Sequence, residues 1–164
     1  MSTKDEFELI YQAYYPKVFR LCSGYASGRD DWAKETAQDV FITVWNKLDT
    51  LKDQKALAAW IYRIAFNTCM KRLKENKGRT DLSHQLIETA YSPEQQSEAN
   101  EMIQKIHRAL AHVSVDEKNL ILLMLEGLEN DDISDILGIS RSHLRVKMHR
   151  TRQKLKTLLE DERI

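Results

Sequence analysis

A chain of 164 residues that is 42 % hydrophobic can bury one ordinary core or two small ones, and is too apolar to be a disordered tail. Its 25 Lys and Arg balance 25 Asp and Glu, so the formal net charge is zero. That balance argues against indiscriminate binding to polyanions, but not against local basic patches, because a partner feels the charge distribution rather than the sum. Five Gly and two Pro leave few turn signals and favour long helices over a sheet. No apolar run approaches the roughly 18 residues of a membrane helix, so no membrane insertion is expected. The polar, acidic start MSTKDEFELI does not read as a secretory signal. Cys22 and Cys69 lack C-x-x-C spacing and read as two buried or partly buried thiols in a reducing cytoplasm, not as a metal or redox site.

In chain order, Phe7, Ile10, Tyr14, Val18 and Cys22 recur at steps of three and four and predict a first helix. A loop with two glycines follows over 23–31. A second helix is predicted from about Asp31 to Leu48, with the stripe Ala33, Ala37, Val40, Phe41, Val44 and Leu48 inward. DTLKDQK, 49–55, is a polar loop carrying Leu51. A third helix is predicted from about Ala56 to Lys74, with Trp60, Ile61, Ile64, Thr68 and Leu73 facing inward or nearly so. Three helices with short connections make a small bundle with its own core. Periodicity then weakens over 75–96, a stretch with Gly78 and Pro93 that reads as an interdomain linker. It resumes with Met102, Ile103, Ile106, Leu110 and Val113. Ser114 and Glu117 fit a capping box ahead of a heavily apolar helix from Val115 to about Glu126. A short helix follows, with Ile133, Ile136 and Leu137 inward and Gly138 as its C-cap.

The last segment is GISRSHLRVKMHRTRQKLK, 138–156, with seven Lys and Arg and no acid. Gly138-Ile139-Ser140 reads as a tight turn, and Ser140 as the cap of a final helix. Leu144, Met148, Thr151, Leu155 and Leu158 fall on one buried stripe. Arg141, Arg145, His149 and Arg152 then lie along one outward line, and Ser142, Val146, Arg150 and Gln153 along the next. A short helix, a glycine turn and a longer helix with a basic outer face describe a helix-turn-helix unit. Arginine can reach phosphates or grip guanine O6 and N7 with two bonds, and Val146 suits a thymine methyl group. A second basic cluster, Arg63, Lys71, Arg72, Lys74, Lys77 and Arg79, faces only Glu75 within 62–79.

These residues resemble a known family. LILLMLEGLENDDISDILGISRSHLRVKMHRTRQKLK resembles region 4 of bacterial sigma factors, which reads the −35 promoter element. DDWAKETAQDVFITVWNKLDTLKDQKALAAWIYRIAFNTCMKRLKENK resembles region 2, which binds core RNA polymerase and opens the −10 element. With a short linker and no region 3 between them, the pair is similar to the extracytoplasmic-function (ECF) class. The resemblance implies an all-α fold of two small helical domains joined by a flexible linker: region 2 over 1–75, linker over 76–98, region 4 over 99–164. It implies a cytoplasmic, non-enzymatic initiation factor that needs no cofactor, metal or catalytic residue. Its partners would be core RNA polymerase, −35 duplex, melted −10 strand and an anti-sigma factor.

Carried over by position, the resemblance assigns Glu35, Gln38 and Asp39 to core polymerase. Their i, i+3, i+4 spacing makes one exposed patch. It assigns Asn67 and Lys71 to the melted −10 strand, on a face shared with Arg63 and Lys74, with Trp60 mainly core and one edge near DNA. Leu51 would stand in the wall of the loop that surrounds a flipped base. Tyr62 and Phe66 remain open between base stacking and core. In region 4, Arg145, Val146, His149 and Arg150 match base-facing positions, Ser140, Lys147 and Arg152 suit phosphates, and Arg141 and Ser142 flank them. The chain departs from the family pattern at Thr36 and Ala37, at Asn130 and at Val146. Two other readings stand beside this one. A stand-alone helix-turn-helix regulator would be a dimer with half-sites about 34 Å apart. A small helical enzyme finds no H-E-x-x-H, phosphate loop or nucleophile motif to support it.

Overall fold

The computed structural model describes residues 2–75 and 98–161, and among these the regular structure is entirely helical. The chain divides into two compact units, Met1–Ala90 and Tyr91–Ile164.

The first unit holds α1 (Thr3–Tyr25), α2 (Asp30–Lys47) and α3 (Leu57–Glu75), each packed on the other two. Helix α1 starts at a capping box the sequence reading did not foresee: Ser2 Oγ accepts from Asp5 N at 3.2 Å, and Asp5 accepts in return from Ser2 N at 3.3 Å. It runs through Pro16, whose missing N–H lies on an exposed turn, and continues to the buried Val18, Leu21, Cys22 and Tyr25. All six residues of the expected α2 stripe are buried. Thr36 joins them because its Oγ1 donates to Trp32 O at 2.6 Å, so a hydroxyl costs little there.

Helix α3 corrects the sequence reading. Its buried residues are Ile61, Tyr62, Ala65, Phe66 and Cys69, while Trp60, Ile64, Thr68 and Leu73 are half-buried. The inward face is turned by about one residue, or roughly 100°. Small residues at 65 and 69 let α3 approach its neighbours closely, and Cys69 Sγ donates to Cys22 Sγ at 3.7 Å. That contact and burial together push the Cys69 thiol well above the ordinary thiol range. Tyr62 and Phe66, at 3 % and 8 % exposure, are core residues and unavailable for stacking on bases. The loop before α3 is two single 3₁₀ turns, Leu48–Thr50 and Gln54–Ala56, with Leu51 half-buried between them. Asp53 Oδ1 accepts from Lys55 N at 3.0 Å and starts the second turn. Of the expected linker, Glu75 ends α3 and Glu98 already belongs to the next helix, and the rest lies outside the described residues.

The second unit holds α4 (Glu98–Leu110), α5 (Val115–Leu125), α6 (Asn130–Leu137) and α7 (Arg141–Glu160). Helix α7 touches the other three. The core comprises Ala109, Leu110, Leu120 to Leu123, Ile133, Leu144, Met148 and Thr151. Along α4 burial fades toward the N-terminus: Leu110 is buried, Ile106 half-buried and Met102 55 % exposed. Met102 shares the spacing of that stripe, and among the described residues nothing covers it at the N-terminal end of the helix. Ile136 and Leu137, expected inward, are half-buried beside the buried Ile133.

Candidate nucleic-acid interface

The turn that aims α7 is built as its sequence demands. Gly138 has φ 69°, a left-handed conformation costly for any residue with a Cβ, and its N–H donates to Ser134 O at 2.9 Å. No neighbouring atom crowds a Cβ there, so backbone conformation alone selects glycine. Ile139 N also donates to Ser134 O, at 3.1 Å, while Ser134 Oγ donates to Ile139 O. Ser140 Oγ accepts from His143 N at 3.1 Å and opens α7. Asn130 stands exposed in the first turn of α6.

With Leu144, Met148 and Thr151 buried, and Leu155 and Leu158 half-buried, α7 turns Arg145, Val146, His149, Arg150 and Arg152 to solvent. Val146 is 49 % exposed among these polar groups. The helix divides its cations into two sets. Arg141 pairs with Asp131 of α6, Lys147 with Asp116 of α5, and Lys154 with Glu117 of α5 at 2.9 Å. Lys147 and Lys154 are two turns apart and therefore meet the same first turn of α5. Among the described residues no ion pair engages Arg145, Arg150 or Arg152. The second partner of Glu117 is the capping box: Ser114 Oγ accepts from Glu117 N at 3.1 Å, and Glu117 Oε1 accepts from Ser114 N at 3.1 Å. Partial burial pushes the Glu117 carboxyl up, but the bonds from Lys154 and Ser114 outweigh it and hold the group below the usual carboxylate range. On α4, burial and the neighbouring Lys118 push the His107 imidazole down.

In the first unit, Arg63, Asn67, Lys71 and Lys74 are exposed along one face of α3, and Trp60 and Leu51 are half-buried. Glu35 and Gln38 are exposed on α2, and Asp39 is half-buried one turn on from Glu35. The two sets meet at Arg72, which the sequence reading placed in a basic cluster without a role. Its guanidinium reaches Asp39 Oδ2 through Nε at 3.1 Å and through Nη2 at 2.9 Å, and approaches Glu35 Oε2 at 3.5 Å. A groove of about 390 Å³ between α2 and α3 is lined by Asp39, Ile42, Thr43, Asn67, Thr68, Lys71, Arg72 and Glu75. Exposed pairs of this kind contribute about 0.2–1 kcal/mol each.

A second groove, of about 380 Å³, lies between α1 and α2 and is mostly aromatic: Phe7, Tyr11, Phe41 and Trp45, with Gln38 and Ile42. Phe7 meets Trp45 edge-on at 5.2 Å between ring centroids. Ile42 and Trp45 are 58 % and 46 % exposed and extend the Gln38 patch with apolar surface. Sequence reasoning passed over them, although both were apolar residues left off the buried stripe of α2. Among the described residues no group of three or more His, Cys, Asp or Glu is disposed to hold a metal ion, and no helix is long and apolar enough to cross a membrane.

Residues 10–79 match the family model for Sigma-70 region 2, and residues 103–155 match the model for Sigma-70, region 4. The chain is 27 % identical to the RNA polymerase sigma factor YlaC of Bacillus subtilis over all of both chains. It is 25 % identical to the ECF RNA polymerase sigma-E factor of Haemophilus influenzae, over 96 % of this chain and 89 % of that one. The chain belongs to the ECF-type RNA polymerase sigma factors. An ECF sigma factor is a promoter-directing transcription initiation factor, and the family as a whole is non-enzymatic. This sigma factor's fold resembles that of RpoE of Bartonella quintana, solved in complex with the anti-sigma factor NepR: TM-score 0.75, 20 % identity, 96 % of this chain and 98 % of that one. It also resembles CnrH solved in complex with the cytosolic domain of CnrY, with TM-score 0.70, 18 % identity, and 97 % and 90 % of the two chains covered.

Proposed function

We propose that this sigma factor works in the cytoplasm, without enzymatic activity of its own, with region 2 over 1–75, a linker over 76–98 and region 4 over 99–164. Region 2 docks on core polymerase through Glu35, Gln38 and Asp39, and the exposed Ile42 and Trp45 beside Gln38 extend that surface. Asn67, Lys71, Arg63 and Lys74 meet the melted −10 strand, with the half-buried Leu51 and Trp60 at its edge. Region 4 reads −35 duplex through Arg145, Val146, His149 and Arg150, while Arg152 and the cap residue Ser140 hold the backbone. Arg141, Ser142 and Lys147 stand at the rim of the same surface, Arg141 and Lys147 already tied to acids. An anti-sigma factor covers the protein when it is idle, in line with the complexes formed by CnrH and RpoE.

The observation that carries the reading is the division of cations on α7: among the described residues Arg145 and Arg150 carry no ion pair and flank an exposed valine, while Arg141, Lys147 and Lys154 are tied to acids of α5 and α6. Runoff transcription with sigma-free core polymerase tests the whole. Specific starts are expected with the protein and none without it. Asp39→Arg should abolish starts and polymerase pull-down while leaving the helical circular dichroism signal intact; normal pull-down would move the docking patch elsewhere.

A further inference from the structure

Two faces assigned to different partners share one groove. Asp39 belongs to the polymerase patch, Asn67 and Lys71 belong to the −10 strand face, and all three line the space between α2 and α3. Arg72 lines it too, and its planar guanidinium is held by two nitrogens on Asp39, with Glu35 beyond. A cation one residue from Lys71 and five from Asn67 is well placed to meet a phosphate, yet the acids on α2 hold it. The clamp is not sealed away from water: the side chains of Arg72, Asp39 and Glu35 are 24 %, 48 % and 66 % exposed. Partly solvated pairs exchange partners readily, because solvent screens their attraction and water can replace either side.

We propose that Arg72 is a latch coupling polymerase docking to −10 strand capture. In the free protein Asp39 and Glu35 hold Arg72 on α2 and leave the groove short of one cation. When basic groups on polymerase take up Asp39 and Glu35, Arg72 is released into the groove and binds a phosphate of the melted strand. Docking therefore strengthens strand binding, and by reciprocity a bound strand strengthens docking. The proposal rests on the docking assignment of Glu35 and Asp39 given above.

The test measures fluorescence anisotropy of a short labelled single strand carrying a −10-like sequence, with the full chain, across a salt series. Glu35→Gln/Asp39→Asn frees Arg72 without polymerase. Each phosphate contact on a single strand adds about 0.7 to the slope of log K against log salt, so the slope should steepen by about that amount and affinity should rise about fivefold near 0.1 M salt. Removing two negative charges also raises affinity nonspecifically, so the same pair of changes is made on Arg72→Met. There the gain should be smaller and the slope unchanged. An equal gain in the two backgrounds overturns the latch. Pull-down of core polymerase by Glu35→Gln/Asp39→Asn keeps the two readings apart. Weakened pull-down with an unchanged strand slope overturns the latch and leaves the docking patch standing. Undiminished pull-down overturns the docking patch, and the release mechanism with it.

Discussion

Helices α3 and α7 both present a row of cations, but they treat nearby acids differently. On α7 the acids come from α5 and α6 and engage Arg141, Lys147 and Lys154, while Arg145, Arg150 and Arg152 carry no ion pair among the described residues. On α3 the paired cation is Arg72, and its acids are the residues assigned to polymerase. In the second unit, pairing ties α7 to α5 and α6 and spares Arg145 and Arg150, the arginines proposed to read bases. In the first unit, pairing joins the two surfaces proposed for polymerase and the −10 strand. The same surface chemistry thus serves as a brace in one unit and as a link in the other.

The largest effect that would sharpen this contrast comes from the core. Leu144 is 1 % exposed beneath the reading face, so Leu144→Ala should destabilise region 4 by about 2–5 kcal/mol. Calorimetry should show the loss, and binding to −35 duplex should fall while binding of −10 single strand persists. Next come the reading groups: Arg145→Ala or Arg150→Ala should each cost about 1–3 kcal/mol of discrimination between the −35 sequence and a base-substituted one. Unchanged promoter preference would break the assignment of the unpaired set.

The braces should matter less, and in another way. Ser114→Ala removes one half of the capping box and should cost about 1 kcal/mol of region 4 stability in denaturant unfolding. Because the folded state holds the Glu117 carboxyl below its ordinary value, the contribution of Glu117 is fully present above that ordinary value and is lost as pH falls through the folded one. Glu117→Gln should therefore destabilise at neutral pH and converge with the parent in strong acid. His107 acts at milder pH. Burial depresses its proton affinity, so the unfolded chain takes up a proton first as pH drops below about 6.5, and region 4 should weaken there. His107→Leu should flatten that dependence in thermal melts. Smallest is Lys154→Met, expected to cost at most about 1 kcal/mol. As a brace it should leave the salt slope of −35 binding unchanged, whereas a phosphate contact would lower the slope by about 1.

Much of region 4 was legible because α7 alternates cleanly between a polar face and one apolar stripe, and because Gly138 and Ser140 each have one chemical job at a helix boundary. The caps at Ser114 and Ser140 are short-range bonds and could be read from spacing alone. Helix α3 was misphased because it is apolar nearly all round, with Leu57, Trp60, Ile61, Tyr62, Ile64, Phe66 and Met70; periodicity could not choose among them. Small residues at 65 and 69 decided the face, and their effect depends on what packs opposite. The ion pairs of Arg72 and Lys147 join residues 33 and 31 positions apart on different helices, and no local pattern announces such partners.

The two sulfurs packed between α1 and α3 have a practical consequence. They are the chain's only cysteines, both are fully covered, and Cys69 is held in its unreactive protonated form. A thiol-directed dye will therefore pass over the native protein. A single new cysteine set on an outward position of either unit can carry a fluorophore without first stripping the background, and distances between labelled sigma and labelled polymerase or promoter become directly accessible during initiation.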